Sequence, residues 1–165
     1  MLRWPRRNTL PADLRDRLRL RRGERVIAHA PAPGHGAVVA TTASLRLPDG
    51  RAVPWERVER ARWDDQGLVL TVEGEAELAV AVPEPGPLAE AVFERVTATI
   101  VVSTHVPLLS AEEGAPGVRL VARRAPGGTE VVWGTRYDEG VDPGSPEIRE
   151  RAARALAALR EQTGV

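Results

Sequence analysis

The sequence has neither cysteine nor lysine. Without cysteine there is no disulfide scaffold, no thiolate-ligated zinc, no iron–sulfur cluster and no thiol nucleophile. Aromatics are scarce as well: four tryptophans, one tyrosine and one phenylalanine in 165 residues. That speaks against a base-stacking platform of the RNA-recognition kind. No run approaches the roughly 18–20 consecutive apolar residues that span a bilayer. The arginine-rich start, residues 1–7, lacks the apolar core and small-residue cleavage site of a signal peptide. Net charge is missing too, because 23 arginines balance 23 acidic residues. A general nucleic-acid glue is disfavoured on that ground. A chain of this length can bury roughly 70% of its unfolded surface, enough for one substantial core or two small ones. The expectation is a soluble, cytoplasmic, globular protein.

The zero net charge is a cancellation. Residues 1–25 hold nine arginines against Asp13, Asp16 and Glu24, a net of +6. Residues 56–94 hold ten acids against Arg57, Arg60 and Arg62, a net of −7. Within the basic start, Pro11 suits a first helical turn, and Asp13 and Asp16 lie near the positive helix end. Leu10, Leu14 and Leu18 recur every four residues, with Gly23 as a stop. This predicts a short helix whose leucine stripe docks on a sheet while most arginines stay outside.

From Glu24 to Val82 the pattern is that of strands. Val26 and Ile27 lie in a run ended by a turn at Pro31–Gly34, and residues 37–47 are rich in valine and threonine before Pro48-Asp49-Gly50. Val58 alternates with charged neighbours up to Trp63, as on a sheet with one wet face. Turns at Asp64–Gly67 and Glu73-Gly74 bracket Leu68–Val72 and lead into Ala76–Val82. Strands at about ten-residue spacing predict a curled antiparallel meander. The prolines at 83, 85 and 87 stop it, and a helix follows with Leu88, Val92 and Val96 on one side, Phe93 beside them, and Glu90 and Glu94 opposite. The β-branched run Thr97–Thr104 predicts a further strand. Pro126-Gly127-Gly128 marks a hairpin between residues 118–125 and 130–137. Ser145-Pro146-Glu147 opens a final helix with Ile148, Ala152, Ala155, Leu156 and Leu159 on its apolar face. Glu147–Arg151 and Glu150–Arg154 pair on its wet side, and Gly164 ends it.

The fold class expected is therefore α+β: an antiparallel curled sheet with a short N-terminal helix, a mid-chain helix, a further strand and hairpin, and a C-terminal helix. Three segments follow: an arm and short helix over 1–23, a meander plus helix over 24–97, and an extension or second small domain over 98–165.

Residues 36–72 resemble the bacterial pleckstrin-homology-like pattern. A hydrophobic strand carries Thr41 and Leu45. Pro54-Trp55-Glu56-Arg57-Val58 makes the proline-aromatic-x-x-valine step, and Gly67-Leu68-Val69-Leu70 is the glycine turn into an apolar strand. The whole chain is also similar to an actinobacterial family of like length that shares a His-Val-Pro step (here His105–Pro107) and a Tyr-Asp-Glu-Gly-x-Asp-Pro stretch (here Tyr137–Pro143). That family brings no known activity. Lipid-binding members of the pleckstrin-homology-like group hold phosphates with basic residues in the first loop. Residues 31–36 contain no arginine or lysine, so the resemblance implies a protein-binding or assembly use of the fold.

Candidate sites are few. His29, His35 and His105 share no metal-ligand spacing. Tyr137-Asp138-Glu139-Gly140-Val141-Asp142 gathers three carboxylates that a hard cation would accept, although a loop leading into a helix start favours acids anyway. His105, Arg136, Tyr137, Asp138, Glu139 and Asp142 form the polar set an enzyme reading would need. Asp64 and Asp65 read as turn formers, and no serine sits in a nucleophile elbow. No catalytic residue, cofactor or metal is nominated. Trp4 with Arg3, Arg6 and Arg7 forms an arm expected to dock on the acidic meander of the same or a second copy. The leading expectation is a non-catalytic binding or scaffolding protein with a protein partner or itself as partner. Association of the arginine-rich start with an anionic membrane surface or nucleic acid comes second, and a small-molecule enzyme third.

Overall fold

The computed structural model describes residues 10–165 and has an α+β architecture of three antiparallel sheets and three helices. The arm residues Arg3, Trp4, Arg6 and Arg7 lie outside the described residues. The chain divides into two compact units, Met1–Thr97 and Ala98–Val165.

The first unit opens with α1 (Ala12–Leu18). A four-stranded meander follows: β1 (Val26–Ala32), β2 (Gly36–Thr41), β3 (Ser44–Arg46) and β4 (Ala52–Pro54). A 3-10 turn at Trp55–Arg57 carries the chain into a second sheet of β5 (Val58–Asp64), β6 (Gly67–Val72) and β7 (Leu78–Ala81), and α2 (Pro87–Ala98) ends the unit. Valine, leucine and alanine from both sheets share one core with Leu88, Ala91, Val92 and Val96 of α2. Trp55 is fully buried in it, and its indole N–H donates to the Thr41 carbonyl at 2.8 Å. An aromatic of this size is tolerated inside because its polar tip has a partner. Gly67 has φ +141°, and a Cβ there would lie 2.4 Å from the Val80 carbonyl oxygen. Only glycine lets β6 begin so close to β7.

The second unit is a smaller sandwich. Its sheet has the order β10–β9–β8, from β8 (Ile100–Pro107), β9 (Gly117–Arg124) and β10 (Val131–Tyr137). The closing helix is α3 (Pro146–Thr163). Val118 and Leu120 of β9 pack with Leu108, Val141, Ile148 and Ala152, and Trp133, Tyr137, Ala155, Leu156 and Leu159 join at the margin. Both anticipated i,i+4 ion pairs of α3 form, Glu147–Arg151 at 2.7 Å and Glu150–Arg154 at 2.5 Å. Arg151 also donates to the Leu108 carbonyl at 2.7 Å, tying α3 to the end of β8. The Trp133 indole N–H is buried with no hydrogen-bond partner among the described residues.

Several boundaries differ from the sequence expectation. α1 stops at Leu18 rather than at Gly23, because Arg19 itself takes the left-handed conformation (φ 47°). None of its leucines sinks fully; only Leu10, just before the helix, is buried. β1 continues through Pro31 to Ala32. It is an edge strand, where a missing N–H costs nothing, and the turn is Pro33-Gly34-His35. The run 37–47 is two strands, because the Thr41 hydroxyl accepts the amide N–H groups of Ala43 and Ser44 at 3.2 and 3.0 Å and turns the chain. β7 is confined to Leu78–Ala81. α2 extends to Ala98, and β8 starts only at Ile100 and runs on through His105 to Pro107, paired with Gly117. Ser145 is the N-cap of α3 by backbone conformation, yet its hydroxyl makes no capping bond.

Candidate functional site

Three polar features stand out, and the first belongs to the second unit. In the sheet β10–β9–β8, Gly117 opens β9 opposite Pro107 of β8, and Asp138 directly follows the last residue of β10. The Asp138 N–H donates to the Gly117 carbonyl at 2.9 Å, and its Oδ2 accepts the Gly117 N–H at 2.8 Å. The same oxygen lies 2.6 Å from His105 Nε2. A Cβ at Gly117 would fall 1.9 Å from the Val106 carbonyl oxygen, so the close approach of β9 to the end of β8 needs glycine there. The hydrogen bond to His105, helped by the Gly117 N–H and the nearby Arg119 charge, holds the Asp138 carboxyl below its usual range against the opposing pull of desolvation.

The six residues expected to form a polar site divide into three groups. His105 and Asp138 touch. Tyr137 turns to the opposite face and packs against the core of its unit. Arg136, Glu139 and Asp142 are exposed, and Asp142 Oδ1 accepts the Gly144 N–H at 2.9 Å, a turn-forming role. Arg136 pairs in register with Arg119, which pairs with His105, so these three share the sheet face away from Tyr137. Ser103, two residues before His105 on the same face, receives an Arg119 N–H at 3.3 Å. With side chains 27% and 40% exposed, His105 and Asp138 form a wet clasp joining the exit of β10 to β8. A carboxylate behind an imidazole also orients it for proton transfer in water-excluded sites. Among the described residues no cluster of three histidine, aspartate or glutamate side chains suits a metal ion.

The second feature had no signal in the sequence, because its charged partners, Glu24 and Arg46, are 22 residues apart. Glu24, its side chain only 3% exposed, receives two hydrogen bonds from Arg46 at 3.0 and 3.1 Å. It also accepts from the Thr41 hydroxyl at 2.6 Å and the Arg21 N–H at 2.9 Å. Burial pushes the Glu24 pKa up, but these hydrogen bonds and the Arg46 charge outweigh it, and the net shift is downward. Arg46 also donates to the Ser44 hydroxyl at 3.0 Å and to the Leu18 carbonyl at 2.5 Å. The latter places a cation at the carbonyl end of α1, where the helix dipole favours it. This network fixes the end of α1 and residues 21–24 to the first sheet.

The third feature is charge left on the surface of the first unit. The acids of the β5–β7 region are partly spent at home: Glu75 meets Arg51 and Arg57 at 2.5 and 3.6 Å, and Arg62 meets Asp64 and Glu77 at 3.5 and 3.2 Å. Asp64 also shapes its hairpin by accepting the Gln66 and Gly67 N–H groups. On α2, by contrast, Glu90 and Glu94 are exposed, and Phe93 is 70% exposed between them. Arg15, Arg17, Arg19, Arg21, Arg22 and Arg25 are all exposed along α1 and its C-terminal flank. No helix among the described residues is long and apolar enough to cross a membrane. Comparison with known proteins adds no relative to these features: no family model matches the chain, and neither the curated proteins nor the solved structures yield a match.

Proposed function

We propose that this is a non-catalytic binding and assembly protein of pleckstrin-homology-like architecture, working in the cytoplasm, whose partner is a further copy of itself. The observation that carries the reading is the shared core of the first unit. A four-stranded sheet, a three-stranded sheet and the following helix bury their apolar faces together, which supports the resemblance drawn from residues 36–72. Such a body leaves sheet edges and the outer helix face free for partners. Self-association is supported by exposed charge of both signs on one unit: the six arginines around α1, and Asp65, Glu73, Glu84, Glu90 and Glu94 elsewhere. Light scattering on the full chain and on a chain lacking residues 1–8, at about 50 mM and about 500 mM salt, tests it. A mass above the monomer that falls with salt and with the deletion is expected; a monomer under all conditions would sink the reading.

The exposed arginines also favour a second reading, binding of an anionic membrane surface or nucleic acid through the N-terminal region. It predicts binding to anionic vesicles or duplex DNA that weakens steeply with salt. Absence of binding at about 50 mM salt, where such contacts are strongest, disposes of it.

A further inference from the structure

The outer face of α2 holds two features that folding of the first unit does not require. Phe93 is the sole phenylalanine in the chain and is 70% exposed, whereas Leu88, Ala91, Val92 and Val96 already supply the buried stripe. Glu90 and Glu94 stand four residues apart, a spacing at which like charges destabilise a helix. Both are exposed and make no ion pair among the described residues, unlike Asp64, Glu75 and Glu77. An aromatic anchor beside uncompensated charge is the anatomy of an interface centre with a steering rim.

We propose that this face of α2 receives the N-terminal arm, residues 1–9, of a second copy, with Trp4 against Phe93 and Arg3, Arg6 and Arg7 neutralising Glu90 and Glu94. The inference rests on the self-association reading and names its contact. It also moves the docking place from the acidic meander, whose carboxylates Arg51, Arg57 and Arg62 engage, to the helix. Charge complementarity carries it: the nine residues of the arm hold three arginines, no acid and one tryptophan. The lengths agree, since nine residues reach at most about 30 Å and the twelve residues of α2 run about 18 Å. The arginines around α1 offer charge without an aromatic, which is why the arm and not α1 is the occupant. Reciprocal exchange of two arms closes a symmetric dimer.

A charge-swap on the full chain tests this. One variant carries Glu90→Arg and Glu94→Arg; the other carries Arg3→Glu, Arg6→Glu and Arg7→Glu. Each alone should be monomeric by sedimentation at low salt, and an equimolar mixture should recover the dimer mass, because each then offers the other a complementary partner. Phe93→Ala should weaken the dimer about tenfold or more with an unchanged melting temperature. If the wild-type chain associates but the charge variants do so equally, or the mixture stays monomeric, the contact is wrong while the self-association reading survives. A wild-type chain that is monomeric throughout removes both.

Discussion

The two units solve the same problem with different means. The first buries sixteen residues in one cluster drawn from two sheets and a helix, and the second buries six against a single sheet and α3. At roughly 25 cal/mol per Å² of apolar surface buried, the first unit draws the larger stabilisation from packing. The second unit compensates with polar ties at its ends: the His105–Asp138–Gly117 clasp, the bond from Arg151 to the Leu108 carbonyl, and the ion pairs along α3. The first unit also has a polar clasp, Glu24–Arg46, but it serves to hold α1 and its flank, outside the main core. In the small unit the polar ties join strand and helix ends; in the large one the most buried tie joins the segment before β1 to the first sheet.

That contrast can be broken most forcefully from the packed side. Trp55→Ala empties the centre of the first core and strips the Thr41 carbonyl of its donor. A loss of about 3–5 kcal/mol is expected, read as a fall in the urea midpoint of the first unit. Next comes Glu24→Ala, which leaves Arg46 without its carboxylate partner in a site that is 13% exposed on the arginine side. Breaking such a pair costs about 3 kcal/mol, and proteolysis should then open the segment 10–25 before the sheets. A smaller loss, about 1–3 kcal/mol, is expected for Gly117→Ala, because the methyl group meets the β8 backbone. Hydrogen exchange should rise at Pro107-proximal amides of β8 and β9 while the first unit stays protected.

The gentlest test is pH. Asp138 titrates below its ordinary 3.8, so the unfolded chain binds more protons than the folded one between the two values. The stabilisation is fully present above that ordinary value and is lost as pH falls through the folded one. Asp138→Asn should therefore flatten the acid side of the melting profile of the second unit. A profile unchanged by the substitution would mean that the clasp contributes nothing to holding β10 against β8.

Much of the architecture was legible because it is written in local periodicity. The stripe Leu88–Val92–Val96, the turn residues at 49–50, 64–67 and 126–128, and the Ser145-Pro146 opening all lie within a few positions of the structure they specify. What escaped the sequence depends on tertiary contact. Pro31 looks like a terminator until β1 is known to be an edge. Thr41 looks like a strand residue until its hydroxyl captures the two following amides. Of the polar set, the contact of His105 with Asp138 needs three strands to be aligned, and Tyr137 differs from its neighbour Arg136 only by strand alternation. Phe93 shows the limit of periodicity: one position past Val92 on a helix is a rotation of about 100°, enough to carry it from the core to water.

The indole of Trp133, which has no hydrogen-bond partner among the described residues, has an optical consequence. Trp133 is the sole tryptophan of residues 98–165, while Trp55 and Trp63 belong to the first unit. Replacing Trp133 by phenylalanine keeps a ring in place and deletes that buried donor, so the second unit should tolerate the exchange. The difference between the emission of the two proteins is then the fluorescence of the second unit alone. The smaller body thus carries its own lamp, by which its melting can be watched apart from that of the larger one.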